Sequence, residues 1–351
     1  MSQPPPRIRE RNPVVNGMHR VALIYNPVAG QHPERRAALI ADLSEVLRGA
    51  GVEVNAMATE SPESAEMQVR EAVRQGCDTI FACGGDGTVH GAMQSLVGGS
   101  AALGVIPMGT ANALAADLGL PASPLKALKT LLAATPVRVP LGRVFYRDLD
   151  GRSRSCYFIV AAGIGADALF LSRLDARLKQ RFGYALYLVE AFRVWATHKF
   201  PIFAASFTES GSKTARTEEV SQLLAVRIGD FGGLLHHLVP GAALNNKHLR
   251  VIAFKTRKRL RYLRFMAAVL FSRQTFSRTV ELVRTYQVEC HDLEGSTARL
   301  FVEADGEVLG TLPAKIEVGT ETLALLIPPK IPPLRRGLLR FNIGNPPGNS
   351  A

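Results

Sequence analysis

The chain has no cysteine pair spaced for a metal or a redox centre. Its four cysteines, Cys77, Cys83, Cys156 and Cys290, stand far apart and form no C-x-x-C unit, so neither a disulfide framework nor a zinc site is supported. It also lacks any stretch approaching the ~20 predominantly apolar residues that span a bilayer. Residues 87–116 carry no Asp, Glu, Lys or Arg, but Gly, Pro, Thr, Asn and Gln interrupt them throughout. The denser apolar runs, 156–166 and 265–271, are too short to cross. Met1 to Arg11 has no apolar signal core and reads as a flexible arm. Aromatic residues are scarce at 7%, and no nucleic-acid-reading module is recognisable, so a nucleic-acid partner is not expected.

The chain does have length and charge. Its 351 residues are too many for one ordinary core and suggest two domains. With 47% hydrophobic and 21% charged residues it is an ordinary globular composition. The formal net charge is +12, which points to an anionic partner: nucleic acid, an acidic membrane surface or a phosphorylated ligand. Residues 1–135 hold 11 basic against 12 acidic residues, and residues 136–351 hold 31 against 18, so all of the excess lies in the later part.

The hydrophobic pattern divides at the same place. Up to residue 135, short β-type runs (20–26, 52–58, 78–83, 101–106) alternate with helical spacing (34–47, 62–74, 88–96, 110–118, 125–133). Such alternation predicts a parallel sheet covered by helices. After Pro136, strand patterns dominate: 137–146, 154–161, 200–207, 222–228, 249–254, 279–288, 298–303, 314–318 and 322–327. They predict an antiparallel sandwich, interrupted by helical segments at 176–197 and 258–272. The reading is an arm at 1–19, an α/β nucleotide-binding domain at 20–135, a β-rich acceptor domain at 136–327 and a Pro-rich basic tail at 328–351.

Three loops carry chemistry. Gly84-Gly85-Asp86-Gly87-Thr88 follows a strand and opens a helix. Its glycines let backbone approach a ligand, and a helix N-terminus attracts phosphate. A carboxylate there suits a divalent ion between protein and phosphate, although Asp86 as a helix cap is the plainer alternative. Pro107-Met108-Gly109-Thr110-Ala111-Asn112 links a strand to a helix in the same way, where a hydroxyl and an amide suit either capping or a nucleotide. The first strand ends in Asn26-Pro27-Val28-Ala29-Gly30. Loops at neighbouring parallel strand ends converge on one crevice. Far away, Asp305-Gly306-Glu307 reads first as a hairpin turn; a catalytic role requires that it meet the crevice.

In this order the motifs Asn26–Gly30, Gly84–Thr88 with Val89 and His90, Pro107–Asn112 and Asp305–Glu307 resemble the diacylglycerol kinase catalytic domain, in particular the bacterial diacylglycerol-kinase-like lipid kinases. The resemblance spans roughly residues 20–327. It implies an NAD-kinase-like α/β domain with a parallel sheet, then an antiparallel β-sandwich. It implies transfer of the γ-phosphoryl group of ATP to a lipid hydroxyl with Mg²⁺, diacylglycerol being the default acceptor. By the same resemblance Asn26, Pro27, Val28, Ala29, Gly30, Thr59, Gly84 to His90, Thr110 and Asn112 line the nucleotide. Glu307 is the expected general base, and Asp86 and Asp305 the expected Mg²⁺ ligands.

Departures from the family pattern carry expectations of their own. Gln31 stands where lysine is common, so phosphate-neutralising charge must come from elsewhere, with Arg35 and Arg36 the candidates. Ala113 replaces a common aspartate. Around 243–248 the family often has an Asp-Gly pair near a structural Mg²⁺; neutral Asn246 and cationic Lys247 predict that this second metal is absent.

A lipid acceptor gives the basic half a purpose. Lys258, Arg259, Arg261 and Arg264 precede an apolar run and suit either an anionic membrane surface or a solvated basic face over a packed apolar stripe. Salt-sensitive, peripheral binding at the inner face of the cytoplasmic membrane is expected. Arg173, Arg177, Lys179 and Arg181 open a second amphipathic stretch, read mainly as core packing. The competing readings are a ceramide or sphingoid-type lipid kinase, an NAD kinase, and a non-catalytic lipid- or nucleotide-binding regulator.

Overall fold

A computed structural model describes residues 17–27, 33–60, 62–166, 168, 193, 196–208, 215–232, 238–270 and 276–329. The expected segments at 1–16 and 330–351, and all but a few residues of 176–197, lie outside it.

The first half is an α/β layer. Strands β1 (Arg20–Tyr25), β2 (Glu53–Ala58), β3 (Thr79–Gly84) and β4 (Ala102–Pro107) pair in parallel in the order β2–β1–β3–β4. Every residue of β3 and β4 is buried, as parallel strands covered on both faces must be. Helices α1 (Pro33–Gly49), α2 (Pro62–Arg74), α3 (Asp86–Gln94), α4 (Ala113–Asp117) and α5 (Pro124–Leu131) provide the crossovers and cover.

The second half is antiparallel. It comprises β5 (Thr135–Arg147), β6 (Ser153–Phe158), β7 (Ala161–Ile164), β8 (Phe203–Thr208), β9 (Arg216–Val220), β10 (Gln222–Val226) and β11 (Leu249–Phe254). Helix α6 (Arg259–Leu270) then leads to β12 (Val280–Thr285), β13 (Gln287–Asp292), β14 (Phe301–Ala304) and β15 (Glu307–Ile327). Phe158, Phe203, Phe207, Val251, Val288 and Ile316 belong to a core of its own, separate from the larger core that fills the α/β half.

The halves are not two separate sheets. β15 runs for 21 residues, pairs with β5 along most of its length and ends beside β4 in parallel at Ala324 and Leu325. This one strand joins the sandwich to the α/β sheet. The expected strands 314–318 and 322–327 are both parts of it, separated by a register shift between Val318 and Thr322. Two other expected strands are split. The run 154–161 breaks because the N–H groups of Ile159 and Val160 turn to the Asp305 carboxylate instead of a strand partner. The run 279–288 breaks at Tyr286, whose N–H goes to Thr208 O. The polar strand β9, Arg-Thr-Glu-Glu-Val, has no hydrophobic alternation to announce it.

Candidate active site

The loops after β1, β3 and β4 all open at the C-terminal edge of the parallel sheet, and Thr59 follows β2 at the same edge. Thr59 is buried and its N–H donates to Tyr25 O at 2.7 Å. Asn26 and Pro27 are described; Val28, Ala29, Gly30 and Gln31 lie outside the described residues.

The β3 and β4 loops are locked to each other by close backbone approach. A Cβ on Gly109 would stand 2.5 Å from Gly85 Cα, and a Cβ on Gly84 would collide with the Thr88 side chain. These glycines are required by contact. Met108 N–H donates to Gly84 O at 2.9 Å. Asn112, in the left-handed region at φ 51, closes its own loop: its Oδ1 accepts from Gly109 N–H at 2.9 Å and its Nδ2 donates to Gly109 O at 2.8 Å. Asp86 reaches beyond its own helix. Its Oδ1 accepts from Ala113 N–H at 2.8 Å, at the start of α4. The aspartate common at position 113 is absent, but the backbone there anchors Asp86. Thr110 remains exposed and Thr88 half-buried, and Val89 and His90 are buried behind them.

The distal turn does meet this crevice. Glu307 opens β15 with its carboxylate against the first turn of α3, so that a Cβ on Gly87 would stand 2.5 Å from Glu307 Oε1. The Glu307 side chain makes no hydrogen bond or ion pair among the described residues.

Asp305 has a different place. Its φ of 50 turns the side chain inward, where it is buried. Oδ1 accepts from Val160 N–H at 2.8 Å and Ala161 N–H at 3.1 Å, and Oδ2 from Ile159 N–H at 3.0 Å. His90 Nδ1 on α3 lies 3.2 Å from Oδ2. Burial works against charging His90, but hydrogen bonds to Asp305 and Cys156 outweigh it and raise its pKa to about 10. Both oxygens of Asp305 are thus engaged in a clasp between the two halves. The Mg²⁺-ligand role expected of Asp305 does not fit this geometry, because a carboxylate holding three amides and an imidazole has little left to offer a metal. Nearby, Gln94 bonds both the N–H and the C=O of Tyr157, a second tie between α3 and the sandwich that the sequence did not signal.

Among the described residues no group of three or more His, Cys, Asp or Glu side chains could hold a metal by itself. Asp86, in the first turn of α3, fits the sparse protein share of a Mg²⁺ that is held mainly by phosphate oxygens and water.

Of the two candidate cations, Arg35 is exposed and Arg36 is buried. The Arg36 guanidinium reaches Met108 O with Nη2 at 3.5 Å, while Nε and Nη1 have no partner among the described residues. Burial lowers its pKa, partly countered by the Cys83 thiol. A buried guanidinium with idle donors beside a phosphate-type loop suits an arriving anion. Arg36→Met should raise the KM for ATP by about 10- to 100-fold, since a charge-assisted bond is worth about 1.5–3 kcal/mol. The same variant should keep its thermal stability, because it removes an unpaired buried charge. An unchanged KM would take Arg36 out of the nucleotide site.

The loop at 240–248 also holds a buried cation. Arg227, 1% exposed, donates to four carbonyls: Pro140 O (2.8 Å), Leu244 O (3.0 Å), Asn246 O (2.7 Å) and His248 O (3.1 Å). The Asn246 amide donates to Gly241 O. The carbonyls that a structural Mg²⁺ would need here already face a guanidinium, so the residues present do not fit that ion. Next to it, Asp117 Oδ1 at the end of α4 accepts from Gly229 and Asp230 N–H at 2.8 and 2.9 Å, tying the α/β half to the sandwich again. A further cavity of about 480 Å³, lined by Phe145, Tyr146, Arg147, Arg154, His291 and Lys315 among others, lies on the sandwich and includes none of the loop residues.

Both halves of the chain have known relatives. Residues 20–144 match the diacylglycerol kinase catalytic domain, and residues 159–327 match the YegS C-terminal NAD kinase beta sandwich-like domain. A probable YegS-like lipid kinase of Citrobacter koseri is 26% identical over 298 residues, 84% of this chain and 93% of that protein. One of Stenotrophomonas maltophilia is 34% identical over 148 residues, 40% of this chain and 46% of that protein. In fold, a crystal structure of a diacylglycerol kinase from Bacillus anthracis superposes with a TM-score of 0.60 at 18% identity, covering 90% of this chain and 99% of the other. Yeast NADH kinase complexed with NADH superposes with a TM-score of 0.52 at 10% identity, covering 90% and 85%.

Proposed function

Because the chain belongs to the diacylglycerol-kinase-like family of probable lipid kinases, we propose that it transfers the γ-phosphoryl group of ATP to a lipid hydroxyl, with diacylglycerol as the default acceptor. The observation that carries this reading is the contact of Glu307 with the first turn of α3. It sets a carboxylate with no side-chain partner among the described residues beside the glycine-rich loop, where a phosphate and an acceptor hydroxyl would meet.

Phosphoryl transfer needs in-line positioning, charge neutralisation and an acceptor for the hydroxyl proton. In this reading the interlocked glycine loops bring backbone N–H groups to the phosphates. Asn26 to Gly30, Thr59, Thr110 and Asn112 surround the nucleotide, and Arg36 supplies the cation that Gln31 cannot. Glu307 takes the proton from the lipid hydroxyl as its oxygen attacks the γ-phosphorus, the bond from that phosphorus to the bridging oxygen breaks and ADP leaves. A bound Mg²⁺, held by Asp86 with the phosphates, would supply neutralisation of the developing charge. Asp305 and His90 position Glu307 from behind by fixing the turn that carries it.

NAD kinase is the second reading, since the fold extends to that superfamily. The Pro107–Asn112 loop and the Asp305–Glu307 turn favour the lipid kinase. The acceptor lies in a bilayer, so the protein is placed in the cytoplasm with reversible attachment to the inner face of the membrane. No helix of the described residues is long and apolar enough to cross it.

Incubation with labelled ATP, Mg²⁺ and a panel of lipids in mixed micelles tests the assignment. Label should appear in a lipid, diacylglycerol first and ceramide or another long-chain alcohol otherwise. Label in NAD and in no lipid overturns it, and no transfer to anything leaves the regulator reading.

A further inference from the structure

Helix α6 has two apolar faces, and only one of them is used inside the molecule. Tyr262, Phe265 and Val269, at helical spacing, are buried. Tyr262 stacks on Phe254 with ring centroids 4.4 Å apart, and its hydroxyl meets Ser221 Oγ at 2.6 Å. Phe265 packs edge-on against Phe254 at 5.2 Å. These contacts fix the helix rigidly on the sandwich.

The outer face should then be polar throughout, but three large apolar side chains stand among its arginines. Leu260 is 73% exposed, Leu263 48% and Met266 41%. Their spacing of three residues places them on one stripe. No other described element exposes three large apolar side chains. Arg257, Lys258, Arg261 and Arg264 are exposed around the stripe and form no ion pair among the described residues. From Lys255 to Arg278 the sequence contains eight basic residues and no Asp or Glu. A protein partner with an apolar pocket would require acidic groups at its rim; a bilayer of anionic lipid offers acyl chains and negative headgroups together.

We infer that the outer face of α6 docks into an anionic bilayer, with Leu260, Leu263 and Met266 inserted among the acyl chains and the surrounding arginines and Lys258 at headgroup level. The inference rests on the lipid-acceptor reading for its purpose but on the α6 surface for its evidence. It also revises the expectation from charge alone. Attachment has a salt-sensitive part, worth about fivefold per basic residue near the leaflet, and a salt-resistant part from the inserted stripe.

The test uses the full chain and sedimenting vesicles of phosphatidylcholine, with and without an equal share of phosphatidylglycerol. Wild type should bind the mixed vesicles, retain part of that binding in high salt, and bind pure phosphatidylcholine weakly. The triple variant Leu260→Ser, Leu263→Ser, Met266→Ser alters only exposed positions. It should lose the salt-resistant part and bind ~100-fold more weakly overall. Replacement of Arg257, Lys258, Arg261 and Arg264 by Gln should instead flatten the salt dependence. Both variants should phosphorylate a short-chain, water-soluble acceptor at the wild-type rate and a vesicle-borne acceptor more slowly.

Wild-type vesicle binding by the triple variant overturns the inference. So does a wild-type dimer that the triple variant converts to monomer, because the stripe would then cover a second copy. Vesicle binding of the expected kind without phosphorylation of any lipid would refute the kinase reading and leave the docking surface standing. Phosphorylation in micelles with no vesicle binding by wild type would do the reverse.

Discussion

Glu307→Gln should lower turnover on the acceptor lipid by about 10²- to 10⁴-fold, the usual share of a general base. The substitution keeps size and shape and removes only the ability to take a proton. The Glu307 side chain has no hydrogen bond or ion pair to lose among the described residues, so folding should be undisturbed. The KM for ATP should change little, because a neutral amide against Gly87 leaves the glycine loops in place. Asp305→Asn provides the contrast. An amide can no longer accept from three backbone N–H groups and His90 with full charge, so this variant should melt at lower temperature and lose activity through the clasp. Near-normal turnover in Glu307→Gln would exclude it as the base. Equal loss of melting temperature in the two variants would mean that Glu307 is a structural residue as well.

The difference between these two carboxylates marks the limit of what the sequence discloses. Asp305 and Glu307 flank one glycine and look equivalent as letters. Their roles separate through backbone conformation: the left-handed Asp305 aims inward at the 159–161 amides, and Glu307 starts a strand with its side chain against α3. The parallel strands and their loops were legible, because continuous apolar runs ending in glycine have few alternatives in a covered sheet. The meeting of Gly87 with Glu307, 220 positions apart, was expected only through the family resemblance. Composition said nothing about β15, since its register shifts hide one strand as two. The outer stripe of α6 was invisible for a related reason. Periodicity finds an apolar face but does not say which of two faces the molecule covers. Arg227 falls inside the expected strand 222–228 with nothing in the pattern to single it out, and only topology shows it enclosed by four carbonyls.

That enclosure leads to the other large expected effect. Arg227→Met should lower stability by about 3–5 kcal/mol, the range seen when one member of a buried polar set is removed, or on the order of 10 °C in melting temperature. The four carbonyls of Pro140, Leu244, Asn246 and His248 would each lose a donor in a place water does not reach. Burial lowers the pKa of Arg227 to about 10, so the side chain remains charged at neutral pH with no carboxylate partner among the described residues. The four carbonyl dipoles compensate it, as they would a bound metal ion. Arg227→Lys should recover only part of the loss, since three donors on a compact ammonium cannot reach four acceptors spread around a planar fork. With the guanidinium in place, the nucleotide-free wild type should melt at the same temperature in EDTA, in Mg²⁺ and in Ca²⁺. A fall in EDTA that added Mg²⁺ restores would show that this loop binds a divalent ion after all, and that Arg227 is not its resident cation.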